Sequence, residues 1–457
     1  MSRPQPTHSG PLGPGDTRTD ATGSRAAPVL ADGSPHRPGR RWWQRLRRSP
    51  MFAYLAIAGP GLIAANAGND AAGIATYSSA GAQFVYRTLF FMVLVTIALV
   101  LVQEMAIRLG TYTGKGLAAL IREQFSLRLT ALALVCVLLA NTGLVVSEFA
   151  GIGAAFELVG VSRYLAIPIF AGLIWALVLF GSYRYAERIF LVLSLIFFAY
   201  PLAAILGHPN WGEALGSTLI PHLLTSKNFI LLGVALIGTT ITPYMQLYVA
   251  AAVADKGIGP EEYRYEKLDS IGGAIFGDII SLFIIIATGA TIGRLGQPLT
   301  SAKDAAAALK PVAGRFAVQL FAFGLFGASA LAAAVVPLST AYALSEAIGV
   351  ERSVSRRFAE APLFLSLFTF QVVVGAGVAL LGGNLIDLLI RTQILNGIIT
   401  PVILIFVLIL ANRRSVLGDA VNGPIFRVVA TVCVGAVSLM SAIVVVQSVL
   451  PWFGLRS

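Results

Sequence analysis

The chain has 457 residues, of which 56% are hydrophobic and only 12% charged, and it carries a formal net charge of +11. No soluble core of this length hides so much apolar surface, so the chain belongs in lipid. Its basic residues gather in the first 48 positions and in short segments between apolar runs, a pattern of membrane topology that argues against a nucleic-acid partner.

Residues 1–48 are rich in Pro, Gly, Ser, Thr and Arg and hold almost no large apolar side chain, so they read as a disordered cytoplasmic tail. The tail ends in Arg37, Arg40, Arg41, Arg45, Arg47 and Arg48 around Trp42 and Trp43. That cluster reads as an anchor on an anionic leaflet. A cleavable signal peptide is not expected, because the first apolar run starts far from the amino terminus.

The transmembrane domain, 49–457, divides into eleven apolar spans at about 51–82, 85–107, 129–157, 163–181, 187–206, 228–254, 270–293, 315–348, 361–382, 385–411 and 425–450. Short alternating strands are lacking, which excludes a membrane β-barrel and predicts an all-α polytopic protein. The inner loops then hold Arg108, Lys115, Arg122, Arg128, Arg184, Arg188, Lys256, Arg264, Lys267, Arg352, Arg356, Arg357, Arg413, Arg414 and Arg427. This bias puts the amino terminus inside and the carboxyl terminus outside, in the plasma membrane. Cys136 and Cys433 both fall in apolar spans and read as packing residues, with no secreted disulfide framework.

Two spans break the plain apolar pattern. The first contains Asn66, Ala67, Gly68, Asn69, Asp70, Ala71, Ala72 and Gly73, with two amides and a carboxylate at mid-membrane depth. Five spans later, Gly238, Thr239, Thr240, Ile241, Thr242, Pro243, Tyr244, Met245 and Gln246 gather hydroxyls around a proline. Interrupted segments at matching places in two halves mark an inverted-repeat transporter with its substrate site at the breaks. Five plus five helices fit, with the eleventh as an addition.

A carboxylate near the bilayer centre costs several kcal/mol unless paired, neutralised or facing water, which makes Asp70 the sharpest candidate. It can also cap the half-helix that begins near Ala71, and capping is compatible with holding a cation. The unwound backbone frees carbonyls, such as those of Ala67 and Thr239, which are hard-cation ligands. Thr239, Thr240, Thr242 and Gln246 read as cavity lining or as hydroxyls bonded back to their own helix. In the tenth span Arg391, Thr392, Gln393 and Asn396 are polar, and Gln393 either completes the site or bonds between helices. Glu148 in the third span is either a proton carrier or a structural carboxylate, paired with Arg391. His8 and His36 lie in the tail and His208 and His222 in an outer loop, so no histidine relay crosses the membrane.

These residues resemble the Nramp family of divalent-metal transporters over essentially all of 51–450. Gly59, Pro60 and Gly61 through Asp70, then Ala80, Gly81 and Ala82, resemble its first helix, and Leu109, Gly110 and 113–118 with Arg122 the segment after its second. Ile237 to Thr240 with Pro243, and Gln393 to Pro401, extend the likeness. The resemblance implies a LeuT-like fold, a transported metal rather than a cofactor, and no enzymatic activity. Where the family carries Asp-Pro-Gly-Asn the chain has Asp70, Ala71, Ala72 and Gly73, and where it carries Met-Pro-His the chain has Thr242, Pro243 and Tyr244. An aspartate of the family's proton route is Val145 here, while Glu148 matches a family glutamate.

Removing a thioether weakens the preference for Mn²⁺ and Fe²⁺ over hard cations, and Mg²⁺ keeps its waters around few carboxylates. The departures resemble the Nramp-related magnesium transporters. The expectation is therefore alternating-access transport of Mg²⁺, with Mn²⁺ tolerated and no tight proton coupling. Asp70, Ala67, Thr239 and Gln393 would hold the ion, bordered by Asn66, Asn69, Gly73, Thr240, Thr242, Tyr244 and Gln246. A proton-coupled Mn²⁺/Fe²⁺ importer stays open as the rival. An amino-acid symporter is disfavoured because Asp70 would repel a substrate carboxylate, and a membrane-embedded metalloenzyme or receptor because the spans lack converging ligands.

Overall fold

The computed structural model describes residues 70–179, 196, 199–222, 226–296, 299–349, 361–381 and 383–449. The basic tail, Asn66, Ala67, Asn69 and most of the fifth span lie outside the described residues. The regular secondary structure described is entirely helical, as expected. Among the described residues eight helices are long and apolar enough to cross a membrane.

In chain order the helices are α1 (Ala71–Phe84), α2 (Leu89–Thr113), α3 (Leu117–Gln124), α4 (Leu127–Leu158), α5 (Arg163–Leu179), α6 (Ala199–Leu206), α7 (Trp211–Leu219), α8 (Lys227–Thr240), α9 (Pro243–Asp255), α10 (Tyr263–Thr291), α11 (Ala302–Ala307), α12 (Ala317–Ile348), α13 (Pro362–Leu381), α14 (Leu385–Ala411) and α15 (Pro424–Val449). The sixth predicted span is the pair α8 and α9, separated at Ile241 and Thr242. Proline bars its predecessor from the helical region, so Thr242 is extended (φ −70°, ψ 139°), and Pro243 begins α9 where its missing N–H is harmless.

The helices pair as a two-fold exchange between halves. α1 lies on α10 while its counterpart α9 lies on α2, and α4 packs on α13 while α12 packs on α5. α2 meets α10, α4 meets α12 and α5 meets α13, each helix touching its own counterpart. Five spans per half is an odd number, so the halves face opposite sides of the membrane, which is the inverted-repeat, LeuT-like plan.

Three expectations are corrected. Arg108 was assigned to an inner loop, but α2 runs on to Thr113 and closes on Gly114 in the left-handed region. The charge does not end the helix because Glu104, one turn earlier, pairs with it at 2.7 Å, and Asn422 accepts from it as well. Arg264 and Lys267 likewise lie within α10, where Tyr263 and Lys267 both donate to Glu104 and tie α10 to α2. Arg128 belongs to the first turn of α4, one residue after its start.

Candidate metal site at the helix breaks

Asp70 caps α1. It is extended (φ −69°, ψ 175°), its Oδ1 accepts from the Gly73 amide at 2.6 Å, and its carbonyl accepts from Ile74. The carboxylate is 3% exposed, and its chemistry joins the partial positive charge of free amides at a helix start. Glu148 on α4 stands against Asp70, the Ala71 amide and Ser147. Gly151, one turn along α4, lets the helices approach this closely: a Cβ there would overlap those of Ala71 and Ser329.

The end of α8 reaches the same place from the other half. Gly238 lies on the backbone of Gln393 and Gly397, and Gly397 in turn lies on that of Val234, so a methyl at either would push α8 and α14 apart. This crossing brings Gln393 and Asn396 beside Thr239. The Ile241 carbonyl freed by the break accepts from the Thr400 hydroxyl at 3.2 Å. Thr240 is also engaged, its hydroxyl 3.1 Å from that of Tyr77, which joins α8 to α1.

What remains is a set of fully buried polar atoms without partners: the hydroxyls of Thr239, Thr242 and Ser329, both amide atoms of Gln246, Gln393 Nε2 and Asn396 Oδ1. Gln393 Oε1, the oxygen expected to face a cation, accepts from Asn396 Nδ2 at 3.2 Å, so Asn396 offers the free oxygen in this state. Tyr244 is 2% exposed and lies within electrostatic reach of Asp70 and Glu148. Gly73 donates its amide to Asp70. The sulfur of Met245, in the first turn of α9, accepts from Gln103 at 2.9 Å.

The expected Glu148–Arg391 pair is not formed. Arg391 points outward, 73% exposed, and pairs with Asp387 one turn earlier at 2.7 Å. Val145 is packed against Gly375 of α13. His208 and His222 flank α7 outside the long helices, and the two cysteines are half-buried and unpaired. Sequence reasoning passed over Ser329, Tyr77 and Asp278. Asp278, a carboxylate inside the seventh span and 6% exposed, was visible by the same criterion that singled out Asp70.

A helix that begins at a buried carboxylate, set against a helix interrupted at Ile241 and Thr242 inside a bundle of membrane-length helices, defines a transporter of the broken-helix class. Residues 61–447 match the family model described as natural resistance-associated macrophage protein-like. The chain is 25% identical over 407 residues to a divalent metal cation transporter MntH of Aeromonas hydrophila, covering 86% of this chain and 96% of that protein. A second MntH, of Acidiphilium cryptum, is 24% identical, with 87% and 90% covered. In fold it is similar to the crystal structure of an Eremococcus coleocola manganese transporter, with a TM-score of 0.71 at 22% identity, covering 92% of this chain and 90% of that one. The chain belongs to the Nramp family of divalent-metal transporters. It is accordingly a transporter and not an enzyme, and a bound metal is cargo, not cofactor.

Proposed function

We propose that this transporter carries Mg²⁺, with Mn²⁺ tolerated, by alternating access and without tight proton coupling. The observation that carries the reading is the donor set at the breaks. Asp70 is joined by hydroxyl and amide groups, with Thr242 where the family places a thioether, while the neighbouring Met245 sulfur is occupied by Gln103. Oxygen-only sites do not favour soft metals, and a site of one or two carboxylates rimmed by hydroxyls and amides suits an ion that keeps several waters. Among the described residues no group of three or more His, Cys, Asp or Glu converges as a dehydrating metal site would require.

In this reading Asp70 supplies the charge, with the Ala67 and Thr239 carbonyls and an amide oxygen of Gln393 or Asn396 adding neutral ligands. Asn66, Asn69, Gly73, Thr240, Thr242, Tyr244 and Gln246 border the hydrated ion. The amino terminus is cytoplasmic, the carboxyl terminus is outside, and the membrane is the plasma membrane. Val145 against Gly375 supports the lack of proton coupling, since no relay carboxylate stands there. Uptake of Mg²⁺, Ca²⁺ and Mn²⁺ into liposomes holding the purified protein, with and without a pH gradient, tests the reading. Mg²⁺ uptake indifferent to the gradient is the expected outcome; strict Mn²⁺ preference with acidification of the lumen would favour the relatives' activity instead.

A further inference from the structure

A second intramembrane carboxylate stands apart from the breaks. Asp278 lies midway along α10, 6% exposed, with Oδ2 fully buried and without a hydrogen-bond partner. Two other helices approach it. The Thr96 hydroxyl of α2 lies beside the carboxyl. Tyr77 of α1 is within electrostatic reach of both Asp278 and Asp70, and its hydroxyl contacts Thr240 at the end of α8. Ser281, one turn along α10, lies on the same face and also meets Tyr77.

Tyr77 follows Asp70 by seven residues, two helical turns, so it lies on the same face of α1 about 10 Å further along. Asp278 and Asp70 thus share Tyr77 as a neighbour, and Tyr77 is bonded to Thr240. No Lys or Arg pairs with it among the described residues. An unpaired carboxylate at this depth is costly unless it faces water or a cation, and a packing role would be served without charge.

We propose that Asp278 is a second cation station: an outer-sphere site for the hydrated divalent ion, lined by Thr96, Tyr77 and Ser281, on the path between the Val85 end of α1 and Asp70. The inference rests on the reading of the chain as a hydrated-Mg²⁺ carrier. It assigns the ion two successive partners, Asp278 at entry or exit and Asp70 at the centre. Tyr77, bonded to Thr240, neighbours both.

The test is Mg²⁺ uptake by Asp278→Asn, Asp278→Glu and Thr96→Val in proteoliposomes, beside wild type and Asp70→Ala. Removing one charge from an approach site should raise KM about tenfold in Asp278→Asn with Vmax within about twofold, while Asp278→Glu stays within about threefold of wild-type KM. Thr96→Val, which retains shape, should raise KM by about threefold and serves if Asp278→Asn is not monodisperse. Wild-type KM in Asp278→Asn, or in Thr96→Val where the former does not fold, overturns the station; so does a loss confined to Vmax or protein yield, which marks a structural carboxylate. Loss of uptake in Asp70→Ala with wild-type KM in Asp278→Asn removes this site alone. Absence of Mg²⁺ uptake by wild type removes both readings.

Discussion

Substituting Asp70 in two ways separates its two jobs. Asp70→Asn keeps an oxygen that can accept from the Gly73 amide, the 2.6 Å bond that begins α1, and removes only the charge. Asp70→Ala removes both. An ion that retains its waters sits about 5 Å from the carboxylate, the sum of a metal–water and a water–oxygen contact. At that distance a doubly charged ion is held by about 2 kcal/mol in water-like surroundings and about 7 kcal/mol at an effective dielectric constant of about 20. Asp70 is 3% exposed, so the true figure lies between these limits, and the loss of affinity in Asp70→Asn should be at least about tenfold. The cap adds about 1 kcal/mol to stability, which only Asp70→Ala forfeits. Mg²⁺ uptake should therefore collapse in both variants, while thermal unfolding in detergent should shift in Asp70→Ala and stay within a few tenths of a kcal/mol of wild type in Asp70→Asn. Wild-type uptake by Asp70→Asn would refute the electrostatic role, and equal destabilisation of both variants would refute the cap.

Thr242→Met restores a soft ligand at the start of α9 and should improve Mn²⁺ and Cd²⁺ competition against Mg²⁺ by about tenfold; unchanged competition means that residue 242 does not face the ion. Gly238→Ala places a methyl on the Gln393 and Gly397 backbone, and should lower both thermal stability and uptake as α8 and α14 separate; normal values for both would refute the close crossing. Outside the bilayer, burial pushes the Asp304 carboxyl up, but hydrogen bonds from the hydroxyls and amides of Ser301 and Thr300 outweigh it and hold the group below its ordinary 3.8. A depressed carboxylate stabilises the fold above that value and loses its contribution as pH falls through the lower, folded-state one. Hydrogen exchange around α11 should be pH-independent in its protection above about pH 5 and lose protection only below 3.8; early loss near neutral pH would contradict the capping box.

The start of α1 and the break between α8 and α9 were legible because they obey local rules. An aspartate before small residues caps a helix, and a proline forces its predecessor out of one, whatever surrounds them. The apolar runs announced the helices, but charges misplaced their ends. Arg108 and Lys267 looked like loop residues because nothing local shows that Glu104 serves both from the interior of α2. The pairing of Glu148 failed for a related reason: Arg391 satisfies itself with Asp387 on its own helix, so the longer-range pair has no advantage. The role of Asn396 depends on which amide atom meets Gln393, a matter of two side chains on one turn that spacing alone does not decide. Tyr244, placed on the cavity wall because it stands where the family carries a histidine, is buried within electrostatic reach of Asp70 and Glu148.

The centre of the bundle is built to be wet. Thr239, Thr242, Gln246, Gln393, Asn396 and Ser329 each bury polar atoms without a hydrogen-bond partner. Left dry, each group costs about 1–3 kcal/mol, and more where charged. The surrounding close crossings, Gly238 on α14 and Gly151 on α1, show that the helices are not loosely packed there, so the unmet groups are not a by-product of a slack interior. A naked ion gripped by Asp70 would answer a few of them. An ion that keeps its waters presents donors in every direction, and those waters can bond to hydroxyl and amide oxygens on α8, α9, α12 and α14 at once. A hydrated cargo of the kind proposed would be recognised by this polar wall as well as by the carboxylate.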